Sequence, residues 1–302
     1  CGRISHKIAE GVAKNNDRMK LVVLCDPIEE KMFETEKTYN KKVEKENTIL
    51  KYKDYKEILK ENKIDIAIIS TESGYHEKIG LYFLENGVNL IIEKPLAMSI
   101  EGAQKLVDTA KKNNLKLAAS HQNRFNYPIQ LLKKAIKENR LGRIFNGMAR
   151  ILWTRDDNYY LQAPWRGTWA LDGGTLMNQC IHNIDLINWM MDDEIDTVYA
   201  QTSNYIRNIE AEDYGVILIR YKSGKIATIE GSAIVYPKNL EETLTITGEK
   251  GTVVIGGMAV NKINTWRVEG DNEQEYLSID CGDPNSVYGY GHEALYKDFV
   301  DA

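Results

Sequence analysis

The chain has 302 residues, enough for one large domain or two ordinary ones, and its 43% hydrophobic and 27% charged residues are typical of a globular protein rather than a disordered one. The formal net charge of -5, with lysines interspersed among glutamates, argues against a nucleic-acid-binding surface, and no apolar run approaches the roughly 20 residues that cross a bilayer. The four cysteines lie far apart and include no C-x-x-C pair, so we expect no metal site, no disulfide framework and a reducing, cytoplasmic location.

From Gly2 to about residue 120, short apolar segments alternate with longer amphipathic ones. The apolar segments are rich in Val, Ile and Leu, which is typical of strands that are covered on both faces. The predicted strands are Lys20–Cys25, Ile64–Ser70, Val88–Ile92 and Leu115–Ala119, and the predicted helices are Tyr75–Glu85 and Ile100–Lys112. This alternation predicts an α/β domain built on a doubly wound parallel sheet. Because Cys1 already lies within a phosphate-binding type of turn, we expect the first strand of the domain to be missing from the sequence and the chain to stop inside a helix.

The pattern changes after the amphipathic stretch Ile129–Lys137. Segments rich in β-branched and aromatic residues follow, separated by turns that contain glycine, and they predict an α+β domain with a large, mostly antiparallel open sheet. The predicted strands are Ile144–Leu152, Val198–Thr202, Tyr214–Tyr221, Ile226–Ala233 and Glu242–Thr247, with a helix over Leu176–Met190. We therefore expect two domains, residues 1–120 and residues 121–302.

The opening segment Cys1–Ser5 (CGRIS) is followed by a helical stretch, a strand, and Asp26 at the end of that strand. In a dinucleotide-binding fold, such a glycine lets the backbone approach the pyrophosphate, and the acid accepts hydrogen bonds from the adenosine ribose. An ordinary turn and an ordinary surface aspartate would give the same short pattern. Taken alone, this segment leaves both interpretations open.

Two later motifs carry side chains suited to proton chemistry. The E-K-P motif at residues 93–95 follows a predicted buried strand, and its Lys94 would lie where open α/β sheets bind ligands, although a solvated loop lysine would have the same pattern. A glycine pair then precedes the predicted helix, on which Asn178, His182 and Asp185 would share one face. His182 could take a proton near neutral pH, whereas an isolated helical histidine is more often a hydrogen-bonded core residue.

Together, in this order and at these distances, the motifs resemble the Gfo/Idh/MocA oxidoreductase family over essentially the whole chain. The match includes the glycine turn, the strand end at Asp26, the loop Thr71–His76, the E-K-P motif and the glycine pair that leads to His182. The resemblance implies a Rossmann domain with an NAD(P) cofactor and hydride transfer to or from a sugar or polyol carbon. Because no arginine directly follows Asp26, we expect NAD. The implied cofactor-binding residues are Gly2, Arg3, Ile4, Asp26, Ser70, Thr71, His76, Glu93, Lys94, Gln122, Trp165 and Arg166.

One position departs from the family. Many polyol-oxidising members carry an aspartate where this chain has Asn178, and an amide cannot become the anion that would stabilise an imidazolium. Residues 120–126 and 153–174 are instead similar to the branch that oxidises UDP-N-acetylglucosaminuronic acid (UDP-GlcNAcA) at C3. Their arginines suit carboxylate and phosphate oxygens and their aromatic rings suit sugar or uracil, although any one of them would also fit a sheet core or a surface. The implied substrate-binding residues are Lys94, Asn123, Arg124, Arg155, Tyr159, Asn178 and His182.

The resemblance therefore implies an NAD-dependent enzyme that oxidises C3 of a UDP-linked N-acetyl-hexosaminuronic acid to the 3-keto sugar, in the synthesis of surface-polysaccharide precursors. In this hypothesis Lys94 and His182 are catalytic: His182 removes the hydroxyl proton, and Lys94 stabilises the hydroxyl oxygen. The alternatives are a dehydrogenase or reductase of another sugar or cyclitol, and a non-catalytic NAD-sensing regulator with the same fold. The resemblance also implies a homodimer or homotetramer formed through the open sheet, and the charge and hydropathy patterns predict no nucleic-acid or membrane partner.

Overall fold

The computed structural model describes residues 1–282 and 287–302. The chain divides into two compact units, the first made of Cys1–Gln122 with Gly291–Ala302 and the second of Asn123–Tyr290. The sequence-based boundary groups the last twelve or so residues with the second domain, whereas they pack as a helix on the first unit. Glycine allows this packing, because a Cβ atom at Gly11 would lie 2.7 Å from the Tyr296 ring. None of the helices in the described part of the chain is both long and apolar enough to cross a membrane.

The first unit is built from parallel strands with helices between them, as predicted. Its strands are β1 (Val23–Cys25), β2 (Leu50–Tyr52), β3 (Ile66–Ile69), β4 (Asn89–Ile92) and β5 (Leu117–Ala119), and its helices are α1 (Ser5–Lys14), α2 (Glu29–Val43), α3 (Tyr55–Glu61), α4 (His76–Glu85), α5 (Ile100–Lys112) and a terminal helix (Gly291–Asp301). Strand β1 pairs with β2, and β3, β4 and β5 pair in that order, all in parallel. Strand β2 is too short and too polar to stand out in the sequence.

Burial and capping explain why these segments fold as they do. Leu90 and Ile92 on β4 are fully buried. Gly80 lets α4 approach this layer, because a Cβ atom there would lie 3.1 Å from Ile92 Cδ1 and 3.2 Å from Leu90 Cδ2. Helix α5 begins where predicted, since the Gly102 N–H donates to the Ser99 hydroxyl at 3.0 Å. The residues at the carboxyl ends of the strands thus belong to loops and not to these helices.

The second unit is one seven-stranded sheet with helices packed on one face, and its mostly antiparallel character was predicted correctly. Its strands are β6 (Ile144–Leu152), β7 (Ile195–Ser203), β8 (Tyr214–Tyr221), β9 (Ile226–Ser232), β10 (Glu241–Gly248), β11 (Gly251–Gly256) and β12 (Lys262–Val268), and its helices are α6 (Tyr127–Lys137), α7 (Asp157–Leu161), α8 (Thr175–Asn178), α9 (Ile181–Met191) and α10 (Glu273–Leu277). The spatial order is β12-β11-β10-β6-β9-β8-β7, and only the β6–β9 pair is parallel. A 3-10 turn over Gln122–Phe125 precedes α6, and another, Ser73–Tyr75, precedes α4.

The two faces of this sheet differ in burial. On one face, Leu186 and Ile187 of α9 are fully buried within the main core cluster. On the other face, Tyr199, Leu218 and Met148 are 62%, 44% and 45% exposed, and the strand register places Tyr199 opposite Leu218. The unit therefore presents one open, partly apolar sheet face.

The helix expected over Leu176–Met190 is two helices, α8 and α9, which is a correction to the sequence analysis. Cys180 lies at the break and is fully buried against the sheet. A Cβ atom at Gly231 of β9 would lie 2.5 Å from the Cys180 sulfur, so the chain approaches the sheet closely here. The Cys180 N–H donates to the Thr175 carbonyl, five residues back, which widens the turn. Asn178 and His182 therefore lie on different helices instead of sharing one continuous face.

Replacement of Leu186 by Ala tests the docking of α9 on the sheet. Because the side chain is fully buried, we expect Leu186→Ala to lower the free energy of unfolding by about 2–5 kcal/mol. Leu218→Ala removes the same side chain from the open face and, measured on dilute monomeric protein, should cost less than about 1 kcal/mol. Denaturant unfolding of both variants measures the difference, and equal losses would contradict the assignment of the two faces.

Candidate active site

The predicted cofactor residues at the start of the chain lie at the carboxyl ends of the strands in the first unit. The Cys1 sulfur lies 3.9 Å from the carbonyl oxygen of Cys25, which ends β1. A Cβ atom at Gly2 would lie 3.6 Å from the carbonyl oxygen of Ser70, just after β3. Helix α1 begins directly after this turn, with Ile4 at the N-cap position and exposed Arg3 before it. The turn and the helix N-terminus are thus placed where parallel sheets bind phosphates.

Asp26 is the acid of this turn and is only 9% exposed. Its carboxylate accepts the Ile28 N–H at 2.9 Å and lies 2.9 Å from the backbone nitrogen of Cys1. The first turn of α1 contains no acidic residue that would oppose an anion at the helix N-terminus. A glycine turn, a helix N-terminus and a strand-end carboxylate fit a dinucleotide with an unmodified ribose 2′-hydroxyl.

His76 is buried and connects two loops of the first unit. Its Nδ1 lies 2.7 Å from the Pro95 carbonyl oxygen and its Nε2 lies 3.2 Å from the Thr71 carbonyl oxygen. Burial lowers the pKa of His76, against the opposite influence of these two carbonyls. His76 therefore holds the loop after β3 against the E-K-P motif, and contact with a cofactor stays a prediction.

The E-K-P motif directly follows β4, and the Lys94–Pro95 peptide is cis. The Glu93 N–H donates to the Ile69 carbonyl at 2.8 Å and so continues the strand pairing. Burial acts to raise the pKa of Glu93, but His292, Lys94 and Ser120 together outweigh it, and the pKa lies below its usual range. Glu93 is thus a buried carboxylate next to the half-buried Lys94. Gln122, just beyond β5, is also buried.

In the second unit, two guanidinium groups share one tyrosine ring. Arg166 lies 4.2 Å from the centre of the Tyr159 ring, and Arg155 lies 5.3 Å from it. Arg155 also contacts the Trp153 ring at 4.7 Å, and Arg166 contacts the Trp165 ring at the same distance. The structure thus brings together predicted substrate residues (Arg155 and Tyr159) and predicted cofactor residues (Trp165 and Arg166) in a cationic, aromatic patch.

Arg124 and Asn123 lie at the start of the second unit. Arg124 makes a two-pronged ion pair with Asp185, with nitrogen–oxygen distances of 2.6 and 2.5 Å, and lies over the Trp189 ring. This pairing gives Arg124 a role in holding α9. Asn123 is 3% exposed, and its side-chain oxygen accepts no hydrogen bond from the described residues.

Asn178 is held by a carboxylate that the sequence analysis did not select. Its amide donates to Asp172 Oδ1, and Asp172 Oδ2 accepts the Gly167 N–H at 2.7 Å. Asp172 is 2% exposed, so the acid that is absent at position 178 is present beside it. The sequence could have indicated Asp172 as a site residue, because it directly precedes the glycine pair Gly173-Gly174. His182 lies in the first turn of α9, three residues before Asp185.

A second buried acid lies under α9. Glu242 on β10 is 5% exposed, and burial raises its pKa to about 8, against the opposite influence of the Asn183 amide and the Arg155 charge. Asn183, the neighbour of His182, is fully buried. Within the described residues there is no cluster of three His, Cys, Asp or Glu side chains that could hold a metal ion.

Comparison with known proteins decides the family. Residues 1–121 match the oxidoreductase family with an NAD-binding Rossmann fold, and residues 129–254 match the Gfo/Idh/MocA C-terminal domain. The chain belongs to the Gfo/Idh/MocA oxidoreductase family. The family predicted from the motifs is therefore confirmed.

Solved structures and known relatives show which class of oxidoreductase the chain belongs to. The WlbA dehydrogenase of Bordetella pertussis, in complex with NADH and UDP-GlcNAcA, is 34% identical, with a TM-score of 0.88 over 100% of this chain and 85% of that chain. The WlbA dehydrogenase of Chromobacterium violaceum, in complex with the same two molecules, is also 34% identical, with a TM-score of 0.86 over 100% of this chain and 83% of that one. A myo-inositol 2-dehydrogenase of Thermotoga maritima is 23% identical over 281 residues, which are 91% of this chain and 79% of that protein. The chain is thus an NAD-dependent sugar oxidoreductase, and the predicted enzyme class and cofactor are confirmed.

The raised pKa of Glu242 makes the stability of the folded protein depend on pH. Its folded pKa of about 8 lies above the usual 4.5, so the folded protein keeps a proton that the unfolded chain loses, and stability falls as the pH rises from about 4.5 to about 8. Glu242→Gln cannot lose that proton. We expect its unfolding free energy to match that of the unsubstituted protein near pH 4.5 and to exceed it by on the order of a few kcal/mol at pH 8.

The matched control is Glu249→Gln, an exposed acid in the turn that follows the same strand. Urea unfolding at several pH values compares the two variants. A difference between Glu242→Gln and the unsubstituted protein that does not grow with pH would show that Glu242 is ionised in the folded state.

Proposed function

We propose that this oxidoreductase acts on C3 of a UDP-linked N-acetyl-hexosaminuronic acid, with UDP-GlcNAcA as the candidate substrate and a 3-keto sugar as the product. The observation that carries the proposal is the pair of guanidinium groups, Arg155 and Arg166, on the Tyr159 ring. A diphosphate and a uronate carboxylate are anions that arginine binds through its planar fork, and the ring offers a flat face to sugar or uracil. The UDP-GlcNAcA in the two WlbA structures supports the same substrate.

The first unit would hold the cofactor. Gly2 and the N-terminus of α1 would bind the pyrophosphate, and Asp26 would accept hydrogen bonds from the adenosine ribose. NAD, when bound, accepts a hydride from the sugar carbon. Pro27, Ile28 and Glu29, which follow Asp26, include no arginine that would favour a 2′-phosphate.

Two side chains would act on the reacting hydroxyl group. His182 would remove its proton as a general base, which leaves negative charge on the oxygen. Lys94 would hold that oxygen and stabilise the charge as it develops. Asn178, which Asp172 holds in place, would bind a neighbouring hydroxyl group through its amide. A regulator that only senses NAD would need neither Lys94 nor His182.

We also propose that the open sheet face pairs subunits into a homodimer or homotetramer. Tyr199, Leu218 and Met148 are exposed on it, and such a partly apolar face is typical of an interaction surface. A second copy of the chain would cover it and the edge strand β7. The cytoplasmic location and the role in surface-polysaccharide synthesis stay predictions.

A substrate comparison tests the proposed function. Purified protein with NAD should form NADH with UDP-GlcNAcA and much less with UDP-GlcNAc, which lacks the carboxylate. Arg155→Gln should raise KM for UDP-GlcNAcA by about one to two orders of magnitude, because each charge-assisted hydrogen bond contributes about 1.5–3 kcal/mol. Arg143→Gln, at an exposed arginine of the same unit, is the control. Equal activity with UDP-GlcNAc, or activity only with inositols, would contradict the proposal and favour a neutral sugar or cyclitol as substrate.

The roles of Lys94 and His182 have a separate test. We expect Lys94→Ala and His182→Asn to lower kcat by about 10²–10⁴-fold, the usual effect of losing an acid–base group, while NAD affinity and the melting temperature change little. Steady-state kinetics, NAD titration and thermal melts measure the three quantities. If either variant unfolds or keeps near-normal turnover, that residue is structural.

A further inference from the structure

Four polar side chains of the first unit meet behind the E-K-P motif, and we name Glu93, Ser120, His292 and Tyr296 the Glu93 cluster. Glu93 follows β4 and Ser120 follows β5, and the Ser120 N–H donates to the Ile92 carbonyl at 2.8 Å. His292 and Tyr296 are four residues apart on the terminal helix and therefore lie on one of its faces. His292 Nε2 lies 3.8 Å from Glu93 Oε1. The terminal helix thus contributes to the surroundings of a motif that lies about 200 residues earlier.

The cluster is buried and its hydrogen bonding is incomplete. Glu93 and His292 are 9% and 4% exposed, and Ser120 and Tyr296 are fully buried. Within the described residues, five of their polar atoms make no hydrogen bond: Glu93 Oε1, Ser120 Oγ, both ring nitrogens of His292 and the Tyr296 hydroxyl. Buried polar atoms in folded proteins are nearly always paired, so such a concentration of exceptions in one place points to a functional constraint.

Close packing fixes the helix that carries two of these groups. A Cβ atom at Gly291 would overlap the carbonyl oxygen of Gln122, just beyond β5. A Cβ atom at Gly11 would lie 2.7 Å from the Tyr296 ring. Because the backbones approach this closely at both points, the terminal helix has little freedom to slide or rotate. The side chains of His292 and Tyr296 are therefore held in one fixed position.

The charges in the cluster are arranged to keep Glu93 ionised. Burial, with the Glu93 charge as a further cause, raises the pKa of Tyr296 well above its usual value, so this hydroxyl stays protonated and can act only as a donor toward the carboxylate. Lys94 follows Glu93 directly, and its charge favours the carboxylate form. On the other side of Lys94, the Pro95 carbonyl lies 2.7 Å from His76 Nδ1. The lysine therefore lies between two anchored neighbours.

We propose that the Glu93 cluster is a positioning device for Lys94, in which the terminal helix acts through His292 and Tyr296 to hold the Glu93 carboxylate beside the lysine. The carboxylate then keeps the lysine side chain charged and in place for the sugar oxygen. His292 and Tyr296 are positioning residues, since they act through Glu93. The proposal rests on the proposed role of Lys94 in sugar oxidation.

Kinetics of single variants give the first test. We expect His292→Leu and Tyr296→Phe each to lower kcat with UDP-GlcNAcA by about tenfold, with little change in KM or in NAD affinity, because each removes a polar group that interacts with the Glu93 charge. His292→Gln keeps a hydrogen-bond donor and should restore kcat to within about threefold of the unsubstituted value. Glu293→Gln is the matched control, because it removes an exposed ion pair with Lys14 from the next position of the same helix.

Labelling of Lys94 gives a readout that needs no sugar. An amine reagent such as trinitrobenzenesulfonate, followed by peptide mass spectrometry, gives the labelling rate of Lys94 relative to the exposed Lys238. Loss of the neighbouring carboxylate favours the neutral amine, which is the form that reacts, so Glu93→Gln should speed the labelling of Lys94 by about tenfold. His292→Leu should speed it by a smaller factor, and Glu293→Gln should leave it unchanged.

The outcomes separate this proposal from the proposed function. If the unsubstituted protein does not oxidise UDP-GlcNAcA, the substrate proposal fails, and the labelling rates still decide the positioning role. If His292→Leu does not fold, Tyr296→Phe and Ser120→Ala decide it, since both replacements remove a single oxygen. Normal kcat together with a normal Lys94 labelling rate in folded variants would overturn the proposal, and so would equal losses in His292→Gln and His292→Leu.

Discussion

Removal of charged side chains from water is the constraint on which the candidate site depends. A buried charge is costly unless partners replace the lost water, so each charged group in the site requires particular neighbours. The Asp26 carboxylate accepts a hydrogen bond from a backbone N–H of the following loop, and the Asp172 carboxylate accepts hydrogen bonds from the Gly167 N–H and the Asn178 amide. Arg155 is placed against aromatic rings. Each of these charged groups therefore has a hydrogen-bond donor or an aromatic ring beside it within its own unit.

The two units position their groups by different physical means. In the first unit, parallel pairing brings the ends of β3, β4 and β5 together, and side chains that directly follow the strands become neighbours without further contacts. In the second unit, His182 depends on burial of the apolar face of α9 against the sheet. Errors in core packing there would move the histidine, whereas the E-K-P motif depends mainly on strand register and on the terminal helix.

Site residues could be predicted from the sequence where they directly follow a strand in the chain. The strand ends at Asp26 and Glu93 could be predicted because a buried strand and the residue after it are adjacent in the chain. The terminal helix could not be assigned to the first unit, since glycine spacing at Gly11 and Gly291 does not reveal which surfaces meet. The break at Cys180 was missed for a similar reason, because its cause is contact with Gly231 on a strand some fifty residues later.

The pairing of Asn178 with Asp172 changes how the departure from the family pattern is understood. On sequence alone, an amide in place of an acid suggests that a negative charge has been lost. The carboxylate of Asp172 accepts a hydrogen bond from that amide and lies buried beside it, so the local charge is displaced by one side chain. A primary amide has two N–H donors and an oxygen with two lone pairs, so an amide that a carboxylate orients can still donate to a sugar hydroxyl or accept from it. Discrimination at this position would therefore come from hydrogen-bond geometry, because the Asp172 carboxylate fixes the orientation in which the half-buried amide meets a sugar hydroxyl.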